Sequence, residues 1–177
     1  MTSFQVIIIS FFCLILVGTL LLMLPISSRQ RCVTSFPDAM FTAVSATCVT
    51  GLVVKDTATY WSLFGQAVIL MLIQIGGMGV ITIGLAIIRA SGRKIGLRQR
   101  STMQDAISAP KIGGIVRLTK FSVQGTLFIE LLGMTAMLPV FFRDYGIKGI
   151  WMAAFHSVSA FCNAGFDLMG RYEAFSS

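Results

Sequence analysis

The sequence predicts an all-α integral membrane fold with three membrane-spanning helices and two shorter re-entrant helices. Three observations carry that prediction: a strongly apolar composition, three long runs almost free of charge, and a repeated segment that follows the first and third runs. The chain has 177 residues, of which 55% are hydrophobic and 12% charged, and its mean hydropathy is +0.84. A soluble domain carries about 25% charged residues, so composition alone places this chain in a bilayer.

The first run extends from Phe4 to Leu24 without a formal charge and stops at Pro25. The second, Trp61 to Ile88, is closed by Arg89, and the third, Phe121 to Phe142, holds one ionisable group, Glu130. Each reaches the roughly 20 residues needed to cross about 30 Å of hydrocarbon. The first run is not a secretory signal: it lacks a basic leading segment, exceeds the usual apolar length of about 7–15 residues and is not closed by an A-x-A-like site.

Charge is distributed to orient these helices. Arg89, Arg93, Lys94, Arg98, Arg100, Lys111, Arg117 and Lys120 lie in one segment with a single acid, Asp105, and so account for the whole net charge of +7. Basic residues gathered in a short connection between two membrane helices mark its cytoplasmic side. Segments 25–60 and 143–177 are therefore expected outside. The basic connection has neither the aromatic interleaving nor a motif of a nucleic-acid surface, so no nucleic acid is expected as partner; anionic lipid headgroups suit it better. Cys13 is mid-helix, Cys32 is in a loop, and the four cysteines do not form a disulfide pattern. One histidine and no Cys/His cluster exclude a zinc site, and no cofactor motif is present.

The most informative feature is an internal repeat at an offset of 114. AMFTAVSATCVTG, Ala39 to Gly51, matches AAFHSVSAFCNAG, Ala153 to Gly165, with identity at Ala39/Ala153, Phe41/Phe155, Val44/Val158, Ser45/Ser159, Ala46/Ala160, Cys48/Cys162 and Gly51/Gly165. Each copy begins as a short apolar helix, too short to span, and ends in small and polar residues closed by glycine. Pro37-Asp38 is a helix start. Irregular backbone at membrane depth survives only where it lines a water-filled path or is buried in protein. Helix, irregular segment and glycine together make a selectivity filter, in which backbone carbonyls replace the hydration shell of an ion. Ancient duplication would explain a repeat, but not identity concentrated on Ser-Ala-x-Cys-x-x-Gly. The fold is thus a set of helix–pore loop–helix repeats: 1–88 the first, 89–120 the basic cytoplasmic loop, and 121–177 the first helix and pore loop of a second.

SATCVTGLVVKDT (Ser45–Thr57), FHSVSAFCNAGF (Phe155–Phe166) and QIGGMG (Gln74–Gly79) resemble segments of the Trk/Ktr/HKT superfamily of potassium transporters, over essentially the whole chain and most closely its Ktr membrane subunits. The resemblance implies potassium uptake across the cell membrane, with sodium coupling in some members. It implies a homodimer of the full-length form on a cytoplasmic nucleotide-binding regulatory subunit. It also implies that Gly51 and Gly165 are filter glycines, with the carbonyls of Cys48, Val49 and Thr50 and of Cys162, Asn163 and Ala164 lining the path. Beyond transient potassium or sodium there, no metal is expected. Members carry four pore loops and this sequence carries two, so it is expected to be a fragment of a longer polypeptide, clipped at the N-terminus as well.

Other residues invite weaker assignments. Glu130 is an intramembrane acid, expected to face the bundle and pair with a polar side chain or a helix-end base. His156, opposite Thr42 in the repeat, is expected to pack. Lys55 and Asp56 are expected to form a solvated pair in the vestibule. Gly76, Gly77 and Gly79 allow close helix approach. Ser45 and Ser159 have no base or oxyanion motif near them, and nothing else indicates an enzyme. The opposing function is a non-conducting membrane component that binds partners through its basic loop; the adjoining coding sequence separates the two.

Overall fold

We describe residues 3–79 and 115–170 from a computed structural model; the basic segment, apart from its last six residues, lies outside them. The described residues form five α-helices and one short 3-10 turn, with no strand among them. The run predicted over 4–24 is helix α1, Ser3–Met23. Pro25 ends it, because the residue before a proline is driven out of the helical region, and Leu24 is extended at φ −60°, ψ 139°. One of the last carbonyls of α1 is satisfied locally: Leu21 O accepts from the Ser27 hydroxyl at 2.6 Å. Ile8, Phe12, Val17 and Leu20 are exposed along α1, an apolar surface suited to lipid rather than to water.

Helix α2, Phe36–Thr47, starts where the sequence predicts. Ser35 caps it by accepting from Asp38 N at 3.4 Å, with Pro37 and Asp38 in its first turn. At 12 residues it is roughly 18 Å long, too short to cross a bilayer. Helix α3, Leu63–Met78, is capped by the Ser62 hydroxyl. Its N-terminal end is tied to the C-terminal end of α1: Ser62 N donates to Ser27 O at 2.9 Å, the Ser62 hydroxyl donates to Ile26 O at 2.6 Å, and Arg29 N donates to Tyr60 O at 2.9 Å.

Of the run predicted over 61–88, the described residues show a helix of 16 residues, Leu63–Met78, which Gly79 caps at φ +84°. Residues 80–88 lie outside the described residues. Among the described residues, two helical stretches are long and apolar enough to cross a membrane, Gln5–Met23 and Lys120–Tyr145.

Helix α4, Ile115–Tyr145, has 31 residues, the first six of which belong to the segment expected to be loop. It turns through Gly146, at φ +61°, into helix α5, Lys148–Phe161. The return is tight: a methyl at Gly149 would run into the backbone carbonyl of Phe141. Serine and histidine side chains fasten the hairpin. Ser157 donates to Glu130 O at 2.5 Å, and the His156 ring stacks on Phe141 at 5.0 Å.

The core is built around α3, which packs on α1 and α2 and also meets α5. Ala39, Ala43 and Ala46 of α2 are buried in one cluster with Leu22 of α1, with Ile69, Leu72 and Ile73 of α3 and with Phe155, Ala164 and Phe166 of the second repeat. Small side chains let backbones approach closely. Gly76 of α3 sits against the Thr47 carbonyl with no room for a Cβ, and Gly77 lies against the Cys162 thiol. The glycines predicted to permit close approach do so at 76 and 77, whereas Gly79 terminates the helix.

Candidate ion-conduction site

Each repeat follows its short helix with a loop of the same construction. In the first, Cys48 caps α2 at φ −85°, ψ 0°, and its N–H donates to Val44 O at 2.8 Å. In the second, Cys162 caps α5 at φ −76°, ψ −4°, and donates to Val158 O at 2.9 Å. The chain then turns left-handed twice in each copy, at Val49 (φ +58°) and Gly51 (φ +75°), and at Asn163 (φ +55°) and Gly165 (φ +72°). Thr50 N returns to Ser45 O at 2.9 Å, as Ala164 N returns to Ser159 O at 2.7 Å.

The two serines are the principal feature that the sequence did not assign. The Ser45 hydroxyl donates to Leu52 O at 2.7 Å and the Ser159 hydroxyl to Phe166 O at 2.6 Å, each closing its loop on the far side of the glycine. Thr50 adds a bond to the Ser45 hydroxyl at 3.0 Å. Their identity at the same offset was the available signal. Left-handed backbone suits Asn163 and the glycines, but a β-branched valine adopts it rarely. That valine and asparagine share one conformation means that the surrounding bonds impose it, and such strain persists only where structure over-determines it.

The loops meet at their glycines. A Cβ built on Gly51 would lie 2.5 Å from Ala164 O and 3.1 Å from Gly165 Cα, while one on Gly165 would lie 3.4 Å from Gly51 Cα. The predicted residues are thus brought together unevenly. Gly51, Ala164 and Gly165 are in contact, with Ala164 fully buried, whereas Cys48, Thr50 and Asn163 are exposed and Val49 and Cys162 half-buried. Thr50 occupies the position of buried Ala164 in the repeat, so the far flank of the first loop is open among the described residues. The ends of α2 and α5 direct the partial negative charge of their last carbonyls toward these loops.

Behind the loops lies a polar contact between α3 and α4. Gln74 Nε2 donates to Glu130 Oε2 at 3.1 Å; Glu130 is 6% exposed. Glu130 Oε1, Gln74 Oε1 and Thr47 Oγ1 are buried without a hydrogen-bond partner. The expected solvated pair of Lys55 and Asp56 is replaced by other partners. Lys55 approaches Asp38 at 3.7 Å, and Asp56 accepts from Ala58 N at 3.0 Å and from the Thr59 hydroxyl at 2.9 Å. Sequence adjacency lost to the loop's own turn, in which an Asp side chain bonds backbone two residues on. His156 has a defined tautomer. Leu168 N–H can only donate, so Nε2 accepts it at 3.3 Å and Nδ1–H donates to Met152 O at 2.8 Å. It holds the exit of the second loop onto α5. Among the described residues no group of three His, Cys, Asp or Glu side chains is placed to hold a metal ion.

Comparison with known proteins places the chain in a family. The profile of the TrkH family, described as cation transport protein, matches residues 1–175. The chain is 46% identical to the Ktr system potassium uptake protein B of Bacillus subtilis, over 93% of this chain and 37% of that protein. It is 42% identical to the potassium/sodium uptake protein NtpJ of Enterococcus hirae, over 94% of this chain and 37% of that protein. With the Ktr system potassium uptake protein B of Vibrio alginolyticus the identity is 36%, over 93% and 36%. The chain therefore spans little more than a third of the length of these relatives. On the family match over nearly its whole length, the chain belongs to the TrkH family of cation transport proteins.

Proposed function

We propose that this chain contributes two of the pore loops of a potassium uptake protein, and that potassium crosses the cell membrane past the backbone carbonyls of Cys48, Val49, Thr50 and Gly51 and of Cys162, Asn163, Ala164 and Gly165. The observation that carries this reading is the meeting of two identically built loops at Gly51 and Gly165. Serine bonds hold each loop in a conformation that an unconstrained chain avoids. Fixed backbone of that kind presents oxygen atoms to a dehydrated cation without reorganising. In this reading α2 and α5 are re-entrant helices entering from outside, segment 89–120 is cytoplasmic, and the exposed flank at Thr50 meets a further loop of a longer polypeptide.

The names of the relatives support potassium as the ion and sodium as a second one. A homodimer carried on a cytoplasmic nucleotide-binding regulatory subunit accompanies the same reading through the family resemblance, and neutralising Arg98 and Arg100 tests that contact by co-purification.

The function is tested by expressing the whole polypeptide that carries this segment in cells lacking other potassium importers. Potassium uptake and growth at low potassium should be restored. Gly51→Ser and Gly165→Ser should lower potassium affinity or admit sodium while the protein still reaches the membrane; Cys48→Ser and Cys162→Ser should be mild. A protein that inserts normally and moves no potassium would leave the non-conducting alternative standing.

A further inference from the structure

A cavity lies away from the loops, between the outer ends of the two repeats. It has a volume of about 390 Å³, and none of residues 48–51 or 162–165 lines it. Its size falls within the range of roughly 300–1,000 Å³ typical of small-molecule sites. Arg29 and Lys148 enter it from opposite repeats, Leu63 and Ile147 form its apolar rim, and Gln66 and Trp151 form its wall. The wall is fixed, because the Trp151 indole donates to Gln66 Oε1 at 3.0 Å while Gln66 Nε2 donates to Thr57 O and Trp61 O.

The charge of this cavity is wrong for a cation path. No carboxylate lines it, and the nearby acids are engaged elsewhere: Asp38 with Lys55, Asp144 with Arg143, Asp56 with its own turn and Asp167 with Met169 N. Arg29 and Lys148 thus have no carboxylate partner among the described residues. Two uncompensated cations repel potassium and attract an anion. The surroundings say which kind. Leu63 and Ile147 are 65% and 82% exposed at the first residue of α3 and at the cap of α5, and Ile26 beside them is 59% exposed. Below the rim Met71 continues the exposed apolar surface along α3. An indole with one polar tie at the mouth of such a surface is the usual marker of a membrane interface. A ligand here needs a negative head and an apolar body.

We propose that this cleft binds the phosphate-bearing headgroup of an anionic phospholipid of the outer leaflet, between Arg29 and Lys148, with the acyl chains lying along α3. The lipid bridges the first and second repeats on the side away from the pore loops. Arginine offers its fork to two phosphate oxygens, and lysine acts as a point charge.

The test uses the purified, delipidated full-length protein and native mass spectrometry, with phosphatidylglycerol and phosphatidylcholine as probes. Phosphatidylglycerol should bind on the order of tenfold more tightly, since each basic residue near an anionic headgroup contributes appreciably. Arg29→Gln combined with Lys148→Gln should remove that preference. Arg31→Gln, an exposed arginine that does not line the cleft, should leave it intact, and Lys148→Arg should preserve it. A phosphatidylglycerol analogue carrying a photoreactive headgroup provides a readout without any variant, and should label Trp151 or Lys148. Equal binding of the two lipids, undiminished phosphatidylglycerol binding by the double variant, or labelling confined elsewhere overturns the proposal. So does displacement of the lipid by millimolar inorganic phosphate, which would make the cleft a site for soluble anions.

Discussion

Gly51 and Gly165 are equivalent in sequence but not in the space around them, and alanine at each should separate the two. Both sit in the left-handed region, at φ +75° and +72°, where any Cβ costs about 1 kcal/mol. At Gly165 the new methyl would stand 3.4 Å from Gly51 Cα, a tight contact that a small adjustment relieves. At Gly51 it would stand 2.5 Å from the Ala164 carbonyl oxygen, well inside the 3.0 Å that real Cβ atoms respect. That obstacle is backbone, held in turn by the bond from Ala164 N to Ser159 O. The loops must therefore part by about half an ångström, and overpacking of this kind costs roughly 1–3 kcal/mol. Gly165→Ala is expected to cost about 1 kcal/mol in total and Gly51→Ala about 2 kcal/mol more. If that difference falls on the ion-occupied state, the potassium affinities of the two variants separate by roughly thirtyfold. The assay is concentration-dependent potassium uptake, with sodium as competitor, in importer-deficient cells expressing the full-length protein at matched membrane levels. Equal affinities, or a weaker Gly165→Ala variant, would refute the contact between Gly51 and Ala164 as the element that sets loop spacing.

Other contacts make separate predictions. Ser45→Ala and Ser159→Ala each release a carbonyl beyond the glycine, at about 1 kcal/mol; sodium discrimination should fall at normal expression, and unchanged selectivity would show that the serines only aid folding. Glu130→Ala leaves the buried Gln74 amide without its acceptor and should lower thermal stability by roughly 1–3 kcal/mol, whereas Glu130→Gln, which keeps an oxygen within reach, should recover most of it. Gly76→Ala drives a methyl into the Thr47 carbonyl, so the yield of monodisperse protein in size-exclusion chromatography should drop sharply; a normal profile would mean that α2 and α3 are further apart than described. With the native cysteines replaced, a cysteine at Gln99 should resist impermeant reagents added outside, while one at Lys148 should react; the reverse pattern would invert the orientation argued from the basic segment.

Composition and spacing were enough to determine the all-helical membrane character, the start of α2 at Pro37-Asp38 and the existence of two matching loops. Those properties depend on hydrophobic runs, local turn chemistry and internal identity, all of which are local in the chain. The correspondence of Cys48 with Cys162 and of Gly51 with Gly165 was legible for the same reason. What the chain could not reveal on its own depends on contacts between distant segments. The end of α3 at Met78 turns on the dihedral of Gly79, inside a run that reads as continuously apolar. Lys55 prefers Asp38, seventeen positions away, over its neighbour Asp56, because the loop bends it back over the start of α2. Gln66 and Trp151 meet only because α3 and α5 pack side by side, and no periodicity announces such a pair. Above all, tertiary packing made the two loops unequal. Gly51 lies hard against Ala164 while Gly165 retains some space, because the second loop packs into the first and the far flank of the first stands open.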